Sequence, residues 1–234
     1  MAIGWTQPKG FAGNSSNSLN RFVIVPLSKG ILRLSNQLDC TAHQSGIAMR
    51  AISLSIPQVK LVETAIHQDN RGSFTENYNR RNFEEAGISG EFVQDNHSLS
   101  VESHVLRGLH FQVPPHAQAK LIRVLEGRIL DIIVDIRHGS PTYGQHVSVE
   151  LDAGDQQIYI PTGFAHGFLT LEPDTAVSYK VSDYYSPEAE RGLKWDDTAL
   201  GIDWQLADAV PILSDKDKEN PPLADLEVAF LYDQ

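Results

Sequence analysis

Sulfur is scarce in this chain of 234 residues, which holds one cysteine, Cys40, and two methionines, Met1 and Met49. A single thiol excludes a disulfide framework and any multi-cysteine zinc site. Long apolar runs are lacking too. Stretches such as Phe22-Val23-Ile24-Val25 fall far short of the roughly 18 residues a membrane span requires, which excludes an integral membrane protein. Basic charge is in deficit: 19 Lys and Arg stand against 30 Asp and Glu, giving a net charge of −11. A general nucleic-acid binder needs a basic face to neutralise phosphates, and this chain has none overall. There is no Gly-rich phosphate loop of the dinucleotide or nucleotide-triphosphate kind, and no βαβ alternation, so Rossmann and P-loop readings fail. No internal repeat is present. What remains is globular composition, 41% hydrophobic and 21% charged, with length for one large domain or two small ones.

Charge is unevenly placed. Residues 1–48 hold four basic side chains (Lys9, Arg21, Lys29, Arg33) and one acid, Asp39, while the remainder carries a net charge of −14. Such a shift marks a boundary. The first 48 residues hold six Ser and four Asn and no sustained apolar period. They read as a disordered extension, as an organelle transit peptide, or as the product of a mis-assigned start, with translation truly beginning at Met49. Residues 49–234 read as one domain.

In that domain strand signals dominate. Short apolar stretches are separated by Gly, Pro, Asn and Asp turns at regular spacing. Lys120 to Leu125 and Arg128 to Arg137 flank Glu126-Gly127, which reads as a hairpin with a tight two-residue link. In the second of these strands Leu130, Ile132, Val134 and Ile136 share one face. Asp131, Asp135 and Arg137 share the other with Ile129 and Ile133, a period of two. Further strands are expected at His146 to Leu151, Gln157 to Ile160, Gly167 to Leu171 and Ala176 to Val181. Helical signals are short: Asn79 caps a turn through Phe83 and Glu84 that ends at Gly87, and Ser186-Pro187-Glu188 reads as a helix start. Many strands and few helices point to a mainly β barrel or jelly roll, whose lumen suits a ligand.

Two segments put titratable side chains inside apolar strands: Leu106 to Gln112, with His110, and Ile160 to Phe168, with His166. A buried imidazole needs partners for both ring nitrogens, so each is a hydrogen-bonded core residue, a metal ligand or an acid/base. Pro161-x-Gly163-x-x-His166 resembles the second motif of the cupin superfamily, where that His is often a metal ligand, with His116, His110 and Gln112 as possible companions. The His-x-His and downstream Glu of metal cupins are missing around His110, and an open metal site needs three well-placed ligands. Proton transfer next to a ketone fits better. It requires a base, a cation for the enolate oxygen and, for inversion, an acid on the opposite face. His110, Lys120 and Tyr179 are the candidates, although Lys120 also reads as a solvated strand end and Tyr179 as core.

The ordered runs Arg71-Gly72-Ser73-Phe74-Thr75-Glu76, Phe92 to Ser98, Leu106 to Gln112, Gln118-Ala119-Lys120-Leu121, Asp135-Ile136-Arg137, Ser140 to Gly144 and Ile160 to Phe168 resemble the dTDP-4-dehydrorhamnose 3,5-epimerase family. The resemblance runs from about Ile56 to the end. It implies a cofactor-free, metal-free cupin-type jelly roll, a cytoplasmic homodimer acting on dTDP-4-dehydro-6-deoxy-D-glucose at C3 and C5. It also implies His110 as base, held by Asp217, with Tyr179 as acid and Lys120 beside the enolate oxygen. Substrate contacts carried over by motif are Arg71, Glu76, Gln94, Asn96, Arg107, His166, Glu190 and Lys216. Relatives that invert only C3 or only C5 share these motifs, and a cupin module that binds a nucleotide sugar without turnover is the non-enzymatic rival. A diphosphate needs charge-assisted donors, which Arg71, Arg107 and Lys216 offer in an acidic protein. Strict alternation from Leu106 to Gln112 sets Arg107 and His110 on opposite faces. Either a bulge at Gly108 changes the parity, or Arg107 serves the ligand from the barrel rim or of a partner subunit.

Overall fold

Period-two alternation over most of the chain builds two sheets packed face to face. The computed structural model describes residues 49–232 and the backbone of two short strands, β1 (Val25–Leu27) and β2 (Ile31–Arg33). The reading of the first 48 residues otherwise lies outside the described residues. One sheet has the order β1, β2, β11 (His146–Asp152), β10 (Arg128–Asp135), β13 (Phe164–Thr170), β8 (Leu106–Gln112), β15 (Glu190–Gly192). The other has the order β3 (Met49–Ser53), β4 (Lys60–Thr64), β12 (Gln156–Ile160), β9 (Lys120–Glu126), β14 (Thr175–Val181), β7 (Gln94–Ser100). The strands β5 (Ile66–Asp69) and β6 (Gly72–Thr75) form a hairpin that pairs with neither sheet. The architecture is a mainly antiparallel, cupin-like jelly roll, with β2 against β11 as a parallel pair.

Three apolar layers follow from the alternation. Between the sheets, Ile129, Ile133, Val147, Val149 and Phe168 meet Ile122, Val124, Ile158 and Val177. On the far side of the first sheet, Leu130, Ile132, Val134 and Ile136 pack with Leu106, Leu109, Leu193 and Trp204. The outer face of the second sheet sits under the helix α1 (Arg80–Glu85), through Phe83, Val62 and Leu121. The two-faced reading of β10 therefore holds on both sides. Burial of a large aliphatic side chain contributes roughly 1.5–3 kcal/mol, so a strand covered on both faces anchors its sheet.

The expected hairpin at Glu126-Gly127 does not form. Both strands exist, but β9 lies between β12 and β14 in one sheet and β10 between β11 and β13 in the other. Alternation reports which face is buried, not which strand is the neighbour, and here the chain turns a corner of the barrel. Gly127 stands at φ +77°, and a Cβ there would lie 2.3 Å from Thr175 Oγ1.

The expected turn at Asn79 is α1, capped by Asn79 Oδ1 accepting from the Arg81 N–H at 3.1 Å. The expected helix at Ser186-Pro187-Glu188 is only a single turn. Ser186 O accepts from the Ala189 and Glu190 N–H groups, and pairing of β15 with β8 takes over at Glu190. A second short helix, α2 (Asp215–Lys218), is capped by Ser214. No described helix is long and apolar enough to cross a membrane.

Candidate active site

The site begins with an irregularity in β8. Opposite β13, His110 pairs with His166 and Arg107 with Phe168, so β8 spends three steps where β13 spends two. That extra residue is a bulge, and it restores Arg107 and His110 to one face. Gly108 makes it possible: it sits at φ +118°, and a Cβ there would meet Gly167 Cα at 2.6 Å. Leu106, Leu109 and Phe111 turn to the opposite, apolar layer. Of the two resolutions open for Arg107, the bulge is the one built.

His110 Nε2 lies 2.6 Å from Asp217 Oδ1. Next to a carboxylate that nitrogen carries the proton, which leaves the Nδ1 lone pair as the basic one. Asp217 is 3% exposed and comes from α2. Its second oxygen faces the Gly108 N–H at 3.4 Å, and its own N–H donates to Ser214 Oγ. Burial pushes the Asp217 carboxyl up, but the His110, Gly108 and Ser214 bonds outweigh it and hold the group below the usual range.

Lys120 enters from the other sheet. Its ammonium is buried and donates to the His110 carbonyl at 3.1 Å. Burial brings its pKa down to about 8, against the opposing fields of Asp131 and Glu190. Tyr179, also on the second sheet, pairs with Asn96 on β7 and Ile122 on β9 and packs against the inter-sheet core. Burial raises its phenol, with Arg107 pulling down and Glu190 pushing up. Arg107 donates to Ser100 Oγ and the Leu99 carbonyl. Glu190 accepts from Tyr185 Oη at 2.7 Å and is ion-paired with Lys216. Burial raises the Glu190 carboxyl, and these two partners overcome it to leave it lowered.

A second His–Asp pair lies beside the first. His166 Nε2 is 2.7 Å from Asp131 Oδ1, and both side chains are buried. Asp131 pairs with Phe168, two residues along β13 from His166 and hence on the same face. Burial lowers the His166 pKa, with the Lys120 and His110 charges acting in the same direction and Asp131 against them. Sequence reasoning passed over Asp131 as a site residue, although an acid sharing a face with Ile129 and Ile133 was the available signal. It also passed over Tyr185 and Ser100, which carry no sequence signal of their own.

Gln94 Nε2 donates to Asn96 Oδ1 at 2.8 Å, and Gln94 Oε1 accepts from the Tyr185 N–H, tying this pair to the Glu190 side. Arg71 and Glu76 are not brought in. Arg71 binds Asp69 across the β5–β6 turn, and Glu76 accepts from Asn82. No group of three His, Cys, Asp or Glu converges as a metal-ligand set among the described residues.

The fold is that of a cupin-like barrel, and it brings together two His–Asp pairs, a buried lysine and a tyrosine from its two sheets. The family model for dTDP-4-dehydrorhamnose 3,5-epimerase matches residues 53–225, and the chain belongs to that family, whose members are isomerases acting on carbohydrates. It is 49% identical over 181 residues to dTDP-4-dehydrorhamnose 3,5-epimerase of Pseudomonas aeruginosa, covering 76% of this chain and 98% of that protein. Among solved structures it resembles dTDP-6-deoxy-D-glucose-3,5-epimerase from Legionella pneumophila in complex with dTDP-4-keto-L-rhamnose. The TM-score is 0.75 at 42% identity, over 80% of this chain and all of that one. It also resembles a 3'-monoepimerase from Streptomyces bikiniensis in complex with dTDP-quinovose, with a TM-score of 0.68 at 36% identity, over 74% of this chain and 87% of that one.

Proposed function

We propose that this protein converts dTDP-4-dehydro-6-deoxy-D-glucose to dTDP-4-dehydro-L-rhamnose by inverting C3 and C5. The observation that carries the reading is the placement of the proposed base and acid on opposite sheets: His110 on β8, held by Asp217 from α2, and Tyr179 on β14. A sugar ring lying between them presents one face to each. His110 Nδ1 removes the proton next to the C4 ketone, the C–H electrons pass into the enolate, and the negative charge develops on the C4 oxygen. Lys120 supplies the cation for that oxygen. Tyr179 then delivers a proton to the opposite face of the carbon, and its phenolate and the imidazolium return to their starting states by exchange with solvent. Asp217 fixes the tautomer and stabilises the imidazolium, the base-and-orienter arrangement of other proton-transfer sites. The reaction balances with protons alone, so it calls for no cofactor.

Arg107, Lys216, Gln94, Asn96, Glu190 and His166 are proposed to hold the nucleotide and sugar. Arg71 and Glu76 are proposed to do so in a homodimer, where a hairpin that pairs with neither sheet and leaves Phe74 69% exposed meets a neighbouring subunit. Light scattering of the purified protein tests that state: a monomer at working concentration removes it.

A second reading, inversion at one carbon only, is favoured by the similarity to a 3'-monoepimerase. One experiment separates the two. The protein is incubated with dTDP-4-dehydro-6-deoxyglucose in deuterium oxide and the sugar protons are followed by NMR. Exchange at C3 and C5 is the expected result; exchange at one carbon selects the second reading, and none at either sinks both.

A further inference from the structure

Strand β10 carries two wholly buried aspartates, and they are satisfied unequally. Asp135 accepts from Arg137 Nε at 2.9 Å, from Ser140 Oγ at 2.6 Å and from Thr142 Oγ1 at 2.6 Å, and it closes a loop. Asp131 has His166 on one oxygen, while its Oδ2 is buried without a hydrogen-bond partner among the described residues. A buried carboxylate left half-unpaired is costly unless a nearby cation offsets it.

The cation is on the facing sheet. Lys120 has a neutral hydrogen-bond partner, the His110 carbonyl. The other carboxylates around it are already engaged: Glu190 with Lys216 and Tyr185, Asp217 with His110 and the Gly108 N–H. The other cations of the site, Arg107 and Lys216, have partners of their own. His110, His166 and Tyr179, with Lys180 ion-paired to Asp95, complete the titratable groups on β8, β13 and β14. With His166 giving Asp131 its Nε2–H as a neutral imidazole, the charge left to balance Lys120 is that of Asp131.

We propose that Asp131 is a positioning residue of the site, the buried counter-charge that keeps the Lys120 ammonium charged beside the reacting carbonyl while holding His166 by its Nε2–H. In a lumen of low dielectric such a field acts at distances where a surface pair would be screened. The consequence for catalysis rests on the function proposed above, because it is the C4 enolate that Lys120 would serve. Burial and the Asp131 field oppose one another at Lys120, and their balance leaves it near 8; a lysine there is charged below that pH and loses its charge above it.

The test is the titration of the Lys120 side chain, followed at its ε-carbon by NMR in full-length protein with labelled lysine, with Lys120→Gln assigning the signal. Asp131→Asn, which keeps shape but not charge, should move the midpoint down by about one pH unit or more, a tenfold or greater loss of proton affinity. Asp217→Asn removes a carboxylate from the same site and should leave the midpoint within about a few tenths of a unit. The alkaline limb of the deuterium-exchange rate should move with the midpoint in Asp131→Asn, whereas a purely structural role would lower the rate at every pH without displacing the limb. If Asp131→Asn does not yield folded protein, Asp131→Ser, smaller and still able to accept from His166, carries the same test. An unchanged Lys120 midpoint in the folded variant overturns the proposal. Wild-type protein that exchanges no sugar proton would overturn the function and leave the lysine titration to be read independently.

Discussion

The two His–Asp pairs share one contact and differ in almost everything around it. His110–Asp217 and His166–Asp131 have Nε2–Oδ1 separations of 2.6 and 2.7 Å. Yet the His110 side chain is 28% exposed and that of His166 7%. Asp217 is 107 residues along the chain from its histidine, on a short capped helix, while Asp131 sits on the adjacent strand. One pair opens toward the lumen, its carboxylate tied down by a helix cap and a bulge N–H. The other is sealed, with a carboxylate oxygen to spare. The same two side chains thus give one ring that solvent reaches and one that is nearly closed off from it.

The sharpest way to break this contrast is to remove the open pair. His110→Asn is expected to reduce exchange and epimerisation by roughly a thousandfold or more, with the melting temperature little changed. Asp217→Asn should fall by roughly a hundred- to ten-thousandfold, as expected when a base loses the partner that sets its tautomer; a loss of less than tenfold in kcat would remove the proposed role of Asp217. Tyr179→Phe separates the two proton transfers. Deuterium is expected to enter from the His110 side while inverted product falls by roughly a hundredfold. Equal loss of exchange and inversion would assign Tyr179 to binding.

Two smaller effects sharpen the comparison. Lys120 loses its charge as pH rises through about 8, so exchange should decline across that point, and Lys120→Arg, which stays charged, should lose that limb even if its maximum is lower. A profile flat to well above 8 would contradict the assignment. Gly108→Ala attacks the bulge that aligns the open pair. The φ of +118° and the approach to Gly167 Cα at 2.6 Å and to the His166 carbonyl at 2.7 Å should cost on the order of 1–3 kcal/mol, measured by denaturant unfolding.

Much of the barrel could be read in the amino-acid order because period-two burial is a local property. The faces of β10, the strands β11 to β14 and the Asn79 cap all follow from neighbours within a few residues. Pairing is not local. Nothing around Glu126-Gly127 distinguishes a hairpin from a corner, since both demand a glycine with positive φ and apolar strands either side. His110 stood out as a polar group in an apolar strand, but its partnership with Asp217 spans 107 residues and came only through family resemblance. Gly108 carried a usable hint, because the need to bring Arg107 and His110 to one face called for an extra residue there. Asp131 was visible and misweighed: an acid in line with Ile129 and Ile133 cannot be solvated.

The corner at Gly127 has a cost in time. It sends two strands that are adjacent in sequence into different sheets, so neither can zip against the other as a first local event. The partners of β9 are β12 and β14, and the partners of β10 include β13, all of which follow later in the chain. Topologies dominated by such distant pairings fold on the scale of roughly milliseconds to seconds, not microseconds. Until the later strands arrive, the apolar faces of β9 and β10 remain uncovered, and the half-made barrel is the state in which this protein is most exposed to aggregation.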